Sequence, residues 1–457
     1  MSAETFLARL DDIRPNRFHW RLLASSGLGW TFDAMDLLLI GFLLVPIRSE
    51  FGLDPGRTGL IAITGLAGTA VGAAVAGRIA DRSGRRTVAQ VTLVLFSIGS
   101  LLSAAAPSFE LLLAARLIAG LGLGGELPVI PALVVEFAPR RARGRIGVLL
   151  GAFWALGATL AGAIALIALP PAGGTGGIGW RGALIVGALP ALAVILLRRF
   201  VPESPRYLAE RGRAAEADAT VRRVEREGGG ALITVSRPVP PPRSTATRLR
   251  DLIGPRYRRR TALLWLLWTG TLFATAGTFV LGPALLADRW ADRGLPVAQA
   301  NLLFFVSTLA QLPGIAVAAW LVERAGRRTT LVLFLLGTAA AAAGLGIVGT
   351  GAETPTGALV GSAAILSFFV LGVFSITTAF AAELYPTALR GTGSGIAAGI
   401  GRLGAVAGLV LLGGLAAAAS VAAAALAAVL LILVAGAVLL LGEETRGRSL
   451  EEIAPAV

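Results

Sequence analysis

The stretch GRIADRSGRR (Gly77 to Arg86) recurs as AWLVERAGRR (Ala319 to Arg328), with the same order of acidic, small and paired basic residues. A second pair keeps step with it: EFAPRRARG (Glu136 to Gly144) and ELYPTALRG (Glu383 to Gly391). Both pairs stand about 245 residues apart. One such match is compatible with chance; two at matching offsets point to a chain built as two related halves. Each motif follows a long apolar run, so the repeat fixes how those runs are grouped.

A membrane-spanning helix needs about 20 predominantly apolar residues. By that measure six spans lie near 22–46, 57–80, 88–106, 110–135, 145–168 and 178–198. Six more lie near 261–287, 299–322, 329–349, 355–382, 391–415 and 418–442. Between the sets, RGRAAEADATVRRVERE (Arg211 to Glu227) has the pattern of an amphipathic helix at the membrane surface. The Pro-rich RPVPPPRS (Arg237 to Ser244) that follows cannot be helical throughout. The expected organisation is an N-terminal six-helix half over 1–198, a cytoplasmic linker over 199–260 and a C-terminal six-helix half over 261–457. The expected fold is therefore an all-α membrane protein, with twelve transmembrane helices in two pseudo-symmetric six-helix bundles. Parallel halves with a site between them near the midplane form a transporter architecture.

Composition agrees. The 457 residues are 55% hydrophobic and 15% charged, with a mean hydropathy of +0.76, against about 45–50% apolar and about 25% charged in soluble chains. The net charge of +14 comes from arginine, since the chain has no lysine. Its distribution argues against a nucleic-acid partner. The arginines crowd into DRSGRR, PRRARGR, the linker, ERAGRR and TRGR, leaving only Arg48, Arg57, Arg181, Arg289 and Arg293 on the opposite side. By the positive-inside rule both termini are cytoplasmic, in an inner or plasma membrane. The absence of Cys excludes disulfides and thiolate chemistry. His19, beside Trp20 and Arg21, reads as an interfacial anchor, and the N-terminus lacks a signal-peptide layout.

Few charges lie inside the spans: Asp33 and Asp36 in the first, Arg116 and Glu126 in the fourth, Arg402 in the eleventh. Intramembrane ionisable residues are costly and functional by default. Asp33 and Asp36 share a helix face at i and i+3, with Asp33 about 16 Å into its span at 1.5 Å per residue. Two carboxylates close together in low dielectric cannot both ionise freely, so one of them, with Glu126 as a further candidate, is expected to exchange a proton. The alternative is that they pair with Arg116 or Arg402 and hold helices together, while the glycines beside Glu126 serve close helix packing. Guanidinium matches carboxylate bidentately, so Arg402, and with less exposure to the midplane Arg116, are candidates to bind a small organic anion. Trp30, Phe32, Trp154, Trp265 and Trp268 offer pocket walls, or packing, and Gln311 offers a buried amide beside Pro313 and Gly314.

GRIADRSGRR is the loop signature of the major facilitator superfamily, which the chain resembles over essentially its whole length. RLIAGLGLGGE (Arg116 to Glu126), PESPRYL (Pro202 to Leu208) and EETRGRSLEE (Glu443 to Glu452) resemble its sugar-porter-related branches. FDAMD (Phe32 to Asp36), GGELPV (Gly124 to Val129), GWRGALIVGALPAL (Gly179 to Leu192) and RGTGSGIAAGIGRLG (Arg390 to Gly404) are most similar to bacterial nicotinate permeases and metabolite:proton symporters, a group akin to the vertebrate synaptic-vesicle transporter-like proteins. The chain departs from sugar porters in lacking a Gln pair over Thr269 to Gly282, and from drug antiporters in lacking Pro over Gly151 to Ala163. It departs from the nicotinate permeases in carrying ATAGTF (Ala274 to Phe279) where they carry a Tyr-rich stretch.

The resemblance implies a cytoplasmic gate made by the loop motifs. Gly77, Asp81, Arg82, Gly84, Arg85, Arg86, Glu136 and Arg143 would form it in one half, with Asp81 pairing Arg85 and Arg86 and Glu136 pairing Arg143. Glu323, Arg327, Glu383 and Arg390 would repeat the arrangement. The function expected is proton-coupled import of a small organic acid by alternating access, a nicotinate-like or aromatic carboxylate being favoured. An exporter, a facilitator of sugar-like solutes and a non-transporting sensor are the alternatives. Substrate, protons and the bilayer are the expected partners of a monomer that needs no cofactor or metal. Nothing resembles a nucleotide loop, a metal cluster or a nucleophile triad, so an enzyme is not expected.

Overall fold

The computed structural model describes residues 3–168, 177–198, 201–228, 249–291, 306, 309–348 and 355–455. The Pro-rich 237–244, Arg293 and the start of the expected eighth span lie outside the described residues, as do the side chains of Arg289 and of 275–279. The helices run α1 Ala3–Asp12, α2 Arg17–Phe51, α3 Pro55–Ser83, α4 Arg85–Ala104, α5 Phe109–Phe137, α6 Arg143–Leu149, α7 Gly151–Ala168 and α8 Gly179–Arg198. After them come α9 Pro205–Glu210, α10 Ala214–Glu227, α11 Arg258–Ala291, α12 Gln311–Arg324, α13 Arg327–Val348, α14 Thr356–Glu383, α15 Thr387–Leu441 and α16 Leu450–Ile453.

Nine spans among the described residues are long and apolar enough to cross a membrane: five from α2 to α7, with α6 and α7 counted as one, and four from α13 to α15, where α15 contributes Thr387–Leu412 and Val421–Leu441. With α8, α11 and α12 they make an all-α membrane protein of twelve spans in two six-helix bundles. Two boundaries differ from expectation. The expected 145–168 is broken at Leu150 into α6 and α7, where a Cβ at Gly151 would strike Ser375 Oγ of α14. Helix α2 also starts earlier and ends later than 22–46, because both ends carry caps that the apolar run does not include. Asn16 Oδ1 accepts from the Phe18 N–H at 3.0 Å, and Gly52 closes the other end in the left-handed region at φ 61°.

His19 belongs to the same cap and is no interfacial anchor. It is buried, its Nδ1 lies 3.2 Å from the Asn16 N–H, and its Nε2 lies 3.3 Å from the Phe137 carbonyl. A polar ring at a helix start is worth more to the uncapped backbone groups of two helix ends than to the solvent.

The repeat is visible in detail. Gly84 and Gly326 both take positive φ, 98° and 91°, at the tight turns between α3 and α4 and between α12 and α13. Each faces a carboxylate that a Cβ would hit: Glu203 at Gly84 and Glu444 at Gly326. Those carboxylates cap the next helix. Glu203 accepts from the N–H groups of Arg85 at 3.0 Å and Arg86 at 3.2 Å, and Glu444 from those of Arg327 at 3.0 Å and Arg328 at 3.2 Å. Within the first half, Gly120 and Gly124 let α5 approach the Gly65 and Thr69 carbonyls of α3, the small-residue packing expected of that run. Between the halves one apolar cluster is continuous, joining Trp30, Ala73, Ile130 and Val148 to Trp268, Phe374, Phe380 and Ala397.

Candidate functional site

The intramembrane charges divide into two sets. Asp36 is spent inside the first half. Its Oδ2 accepts from Arg116 Nη1 at 2.9 Å and its Oδ1 from Ser100 Oγ at 2.7 Å, while Arg116 Nε donates to Ser103 Oγ at 3.0 Å. Asp36, Arg116, Ser100 and Ser103 are all buried. This satisfied cluster ties α2, α4 and α5 together.

Asp33, one turn away, is equally buried but makes no hydrogen bond and no ion pair within 4 Å among the described residues. The charges that act on it are Glu126, Arg402 and Asp36. Arg402 is also buried. Its Nη1 reaches only the Ala398 carbonyl, at 3.4 Å, and its guanidinium carbon lies 5.6 Å from the Trp268 ring centroid. Among the described residues no carboxylate comes within 4 Å of it, although the Asp33 charge is felt there. A buried cation without a counter-ion in hydrogen-bond range is expensive.

Around that cation the aromatic side chains of four helices meet at Phe374 of α14. The ring centroids of Trp30 (α2), Trp154 (α7) and Trp268 (α11) lie 6.1, 5.2 and 5.6 Å from it, the last edge-on. The indole N–H groups of Trp30 and Trp268, and the Thr377 hydroxyl one turn along α14, are buried with no hydrogen-bond partner among the described residues. Such donors, in the ring cluster whose Trp268 lies against Arg402, would be satisfied by an acceptor. Trp265 stacks into the same apolar cluster, whereas Phe32 packs with Met35 and Leu39 in a separate one. Gln311 is buried at the start of α12 with its Oε1 unpartnered, and enters none of these ring contacts or hydrogen bonds. Phe374 gave no signal in the sequence, being one Phe in the apolar run FFVLGVF.

The loop motifs converge at the arginine-rich end. Asp81 accepts from the N–H of Gly391 at 3.0 Å and from the N–H and hydroxyl of Thr392, both at 2.7 Å. Arg85 Nη2 donates to the Thr387 carbonyl at 2.5 Å and lies 3.2 Å from both Asp81 and Glu136. The pairing differs from expectation at Glu136, whose second partner is Arg390 at 2.5 Å, while Arg143 pairs Asp11. Glu136 faces across the seam to Arg390 rather than along its own loop to Arg143. Arg327 repeats the theme with Glu383 at 3.1 Å and Glu323 at 3.4 Å. Arg86 contributes its backbone N–H to Glu203; the Arg82 side chain is exposed and its carbonyl accepts from Tyr207. A Cβ at Gly77 would strike the Gly391 carbonyl, so backbone meets backbone at this seam. Arg206 and Asp11 were not singled out in advance, although Arg206 lies in the PESPRYL motif.

Burial sets the charge state of one group outside the spans. It pushes the Glu210 carboxyl, at the end of α9, up to about 8, with Arg85 and Arg390 opposing the shift and Glu136 and Asp81 adding to it.

Comparison with known proteins shows the family. The family model "Sugar (and other) transporter" matches residues 49–456. The niacin transporter NiaP of Acinetobacter baylyi is 37% identical over 449 residues, covering 98% of this chain and 99% of that protein. The gallate transporter of Pseudomonas putida is 32% identical over 402 residues, covering 87% of this chain and 85% of that one. Among solved structures, the proton:xylose symporter XylE bound to 6-bromo-6-deoxy-D-glucose superposes with a TM-score of 0.79 at 19% identity, covering 95% of this chain and 98% of that one.

Proposed function

The chain belongs to the sugar (and other) transporter family of the major facilitator superfamily and is a multi-pass membrane transporter of a small molecule; on that premise we propose that it imports a monocyclic aromatic carboxylate together with protons. The observation that carries this reading is Arg402, a buried guanidinium against Trp268 with no carboxylate within 4 Å among the described residues. A substrate carboxylate would take its fork, helped by the indole N–H groups of Trp30 and Trp268, while the ring would stack at Phe374. Niacin and gallate, the solutes named for the two relatives, are both carboxylates on a single ring.

Coupling follows from Asp33. Without substrate, Arg402 offers its charge to Asp33; a bound carboxylate takes that charge, and Asp33, left with the charge of Glu126, picks up a proton. Asp36 keeps Arg116 and holds geometry. A monocarboxylate moving with one proton carries no net charge, so the pH gradient is the driving force, and about 1.4 kcal/mol of it gives ten-fold accumulation. The seam of Asp81, Arg85, Glu136 and Arg390 is the cytoplasmic gate, closed here, and breaks as the halves rock. The crowding of arginines at this end supports a cytoplasmic position for it and for both termini. The halves are 1–198 and 261–457, joined by the linker 199–260, and a monomer in the lipid bilayer suffices.

The test is binding to the purified protein, followed by tryptophan fluorescence. Nicotinate and benzoate should bind; nicotinamide and a hexose should not. Arg402→Ala should lose the acids. Equal binding of acid and amide, indifferent to Arg402, would overturn the reading.

A further inference from the structure

One buried cluster that does not include Arg402 or Asp33 joins four parts of the chain that are distant in sequence. Asp11, at the end of α1, is 2% exposed, and its Oδ1 accepts from Arg143 Nη2 at 2.5 Å and from Arg206 Nη2 at 2.7 Å. Each arginine extends further with its other terminal nitrogen. Arg143 Nη1 donates to the Arg448 carbonyl at 3.0 Å, and Arg206 Nη1 pairs Glu451. Arg448 and Glu451 belong to the tail after α15, which is anchored to the second bundle by Glu444 on the Arg327 N–H and by the Thr445 hydroxyl on Glu383. Arg143 opens α6, and Arg206 lies in α9. One carboxylate thus stands between two like charges and aims both at the tail.

Helix α1 is seated for this. Phe6, Leu7 and Leu10 are fully buried against Val221 and Val224 of α10 and Leu208 of α9. Arg9 bridges Asp218 and Glu225, and Asp12 pairs Arg140 at 2.6 Å. Without Asp11 the guanidiniums of Arg143 and Arg206 would repel each other at close range with Glu451 alone to share.

We propose that α1 is a clasp on the closed arginine-rich end: Asp11 positions Arg143 and Arg206 so that both grip the C-terminal tail, and withdrawing it lets that end open. This rests on reading the Asp81 seam as a gate. The transport rate is then set partly at α1, which touches neither Arg402 nor Asp33, and whatever displaces α1 speeds the opening step.

The chain has no cysteine, so one introduced thiol reports alone. Ser375 is 1% exposed where α14 meets Gly151 of the first bundle, and Ser97 is 1% exposed inside the first bundle. In the full-length protein, Asp11→Asn should raise the maleimide labelling rate of S375C about ten-fold, equivalent to about 1.4 kcal/mol of lost closure. Asp11→Glu should leave it low, and S97C should not respond. Asp81→Asn in S375C tests the gate itself. Faster labelling with Asp81→Asn but not with Asp11→Asn overturns the clasp and keeps the gate; no change with either overturns both. A rise at S97C equal to that at S375C would show general loosening and also overturn the clasp.

Discussion

Arg402 and Trp268 are in direct contact: the guanidinium carbon lies 5.6 Å from the ring centroid, within cation–π range. The ring eases the burial of a charge that has no carboxylate in reach among the described residues, and leaves the edge of the fork free. Arg402→Lys keeps the charge but loses the planar fork. A charge-assisted hydrogen bond is worth about 1.5–3 kcal/mol, so Arg402→Lys should weaken acid binding about ten- to a hundred-fold, read by titration of tryptophan fluorescence.

Asp33 and Asp36 should part company in stability. Asp36→Asn strips the counter-ion from buried Arg116 and should cost about 3–5 kcal/mol. Asp33→Asn removes a group with no partner within 4 Å among the described residues and should leave stability unchanged or higher. Thermal unfolding of the purified variants distinguishes them, and equal losses would contradict the division of roles.

Phe374 sits where three tryptophans converge, so replacing it by Leu keeps apolar volume but removes the stacking face. Stacking is worth about 0.5–1.5 kcal/mol. Competition assays should show Phe374→Leu losing up to about ten-fold in preference for benzoate over a short aliphatic acid.

Gly77 meets the Gly391 carbonyl too closely for any Cβ. Gly77→Ala should therefore hold the arginine-rich end apart. Uptake should fall sharply while substrate binding in detergent persists.

Glu210 gives the closed end a pH dependence of definite sign. Its carboxyl is raised from 4.5 to about 8, so the folded state binds the extra proton between those values. Its contribution is full below pH 4.5 and is lost as pH rises through about 8. The thermal midpoint should fall more steeply from pH 6 to pH 9 in the parent than in Glu210→Gln, the pH range bracketing that titration.

The two-bundle fold was legible because apolar runs and the paired GRIADRSGRR and AWLVERAGRR loops are local signals. The charged residues of the candidate site stand out in the sequence, since charges inside spans are few and cannot be there for solvation. Their partners do not. Spacing places Asp33 and Asp36 on one face of α2, but only the rotation of α2 against α5 sends Asp36 to Arg116 and leaves Asp33 turned toward Arg402 and Glu126. Glu136 likewise reaches Arg85 and Arg390 because the halves meet there, which loop order does not encode. Phe374 was hidden for the opposite reason, as an aromatic in an apolar run that differs from its neighbours only by position. Asp11 lies in a short helix whose importance comes wholly from Arg143 and Arg206.

The central claim is that acid and proton move together through a site built on Arg402 and Asp33. Uptake of labelled nicotinate and benzoate into proteoliposomes, with and without an imposed inward proton gradient, tests it directly. The parent should accumulate an acid against its gradient only when protons drive it. Arg402→Ala should abolish that uptake, and Asp33→Asn should retain exchange but lose accumulation. Accumulation that ignores the proton gradient, or survives both substitutions, would contradict the account.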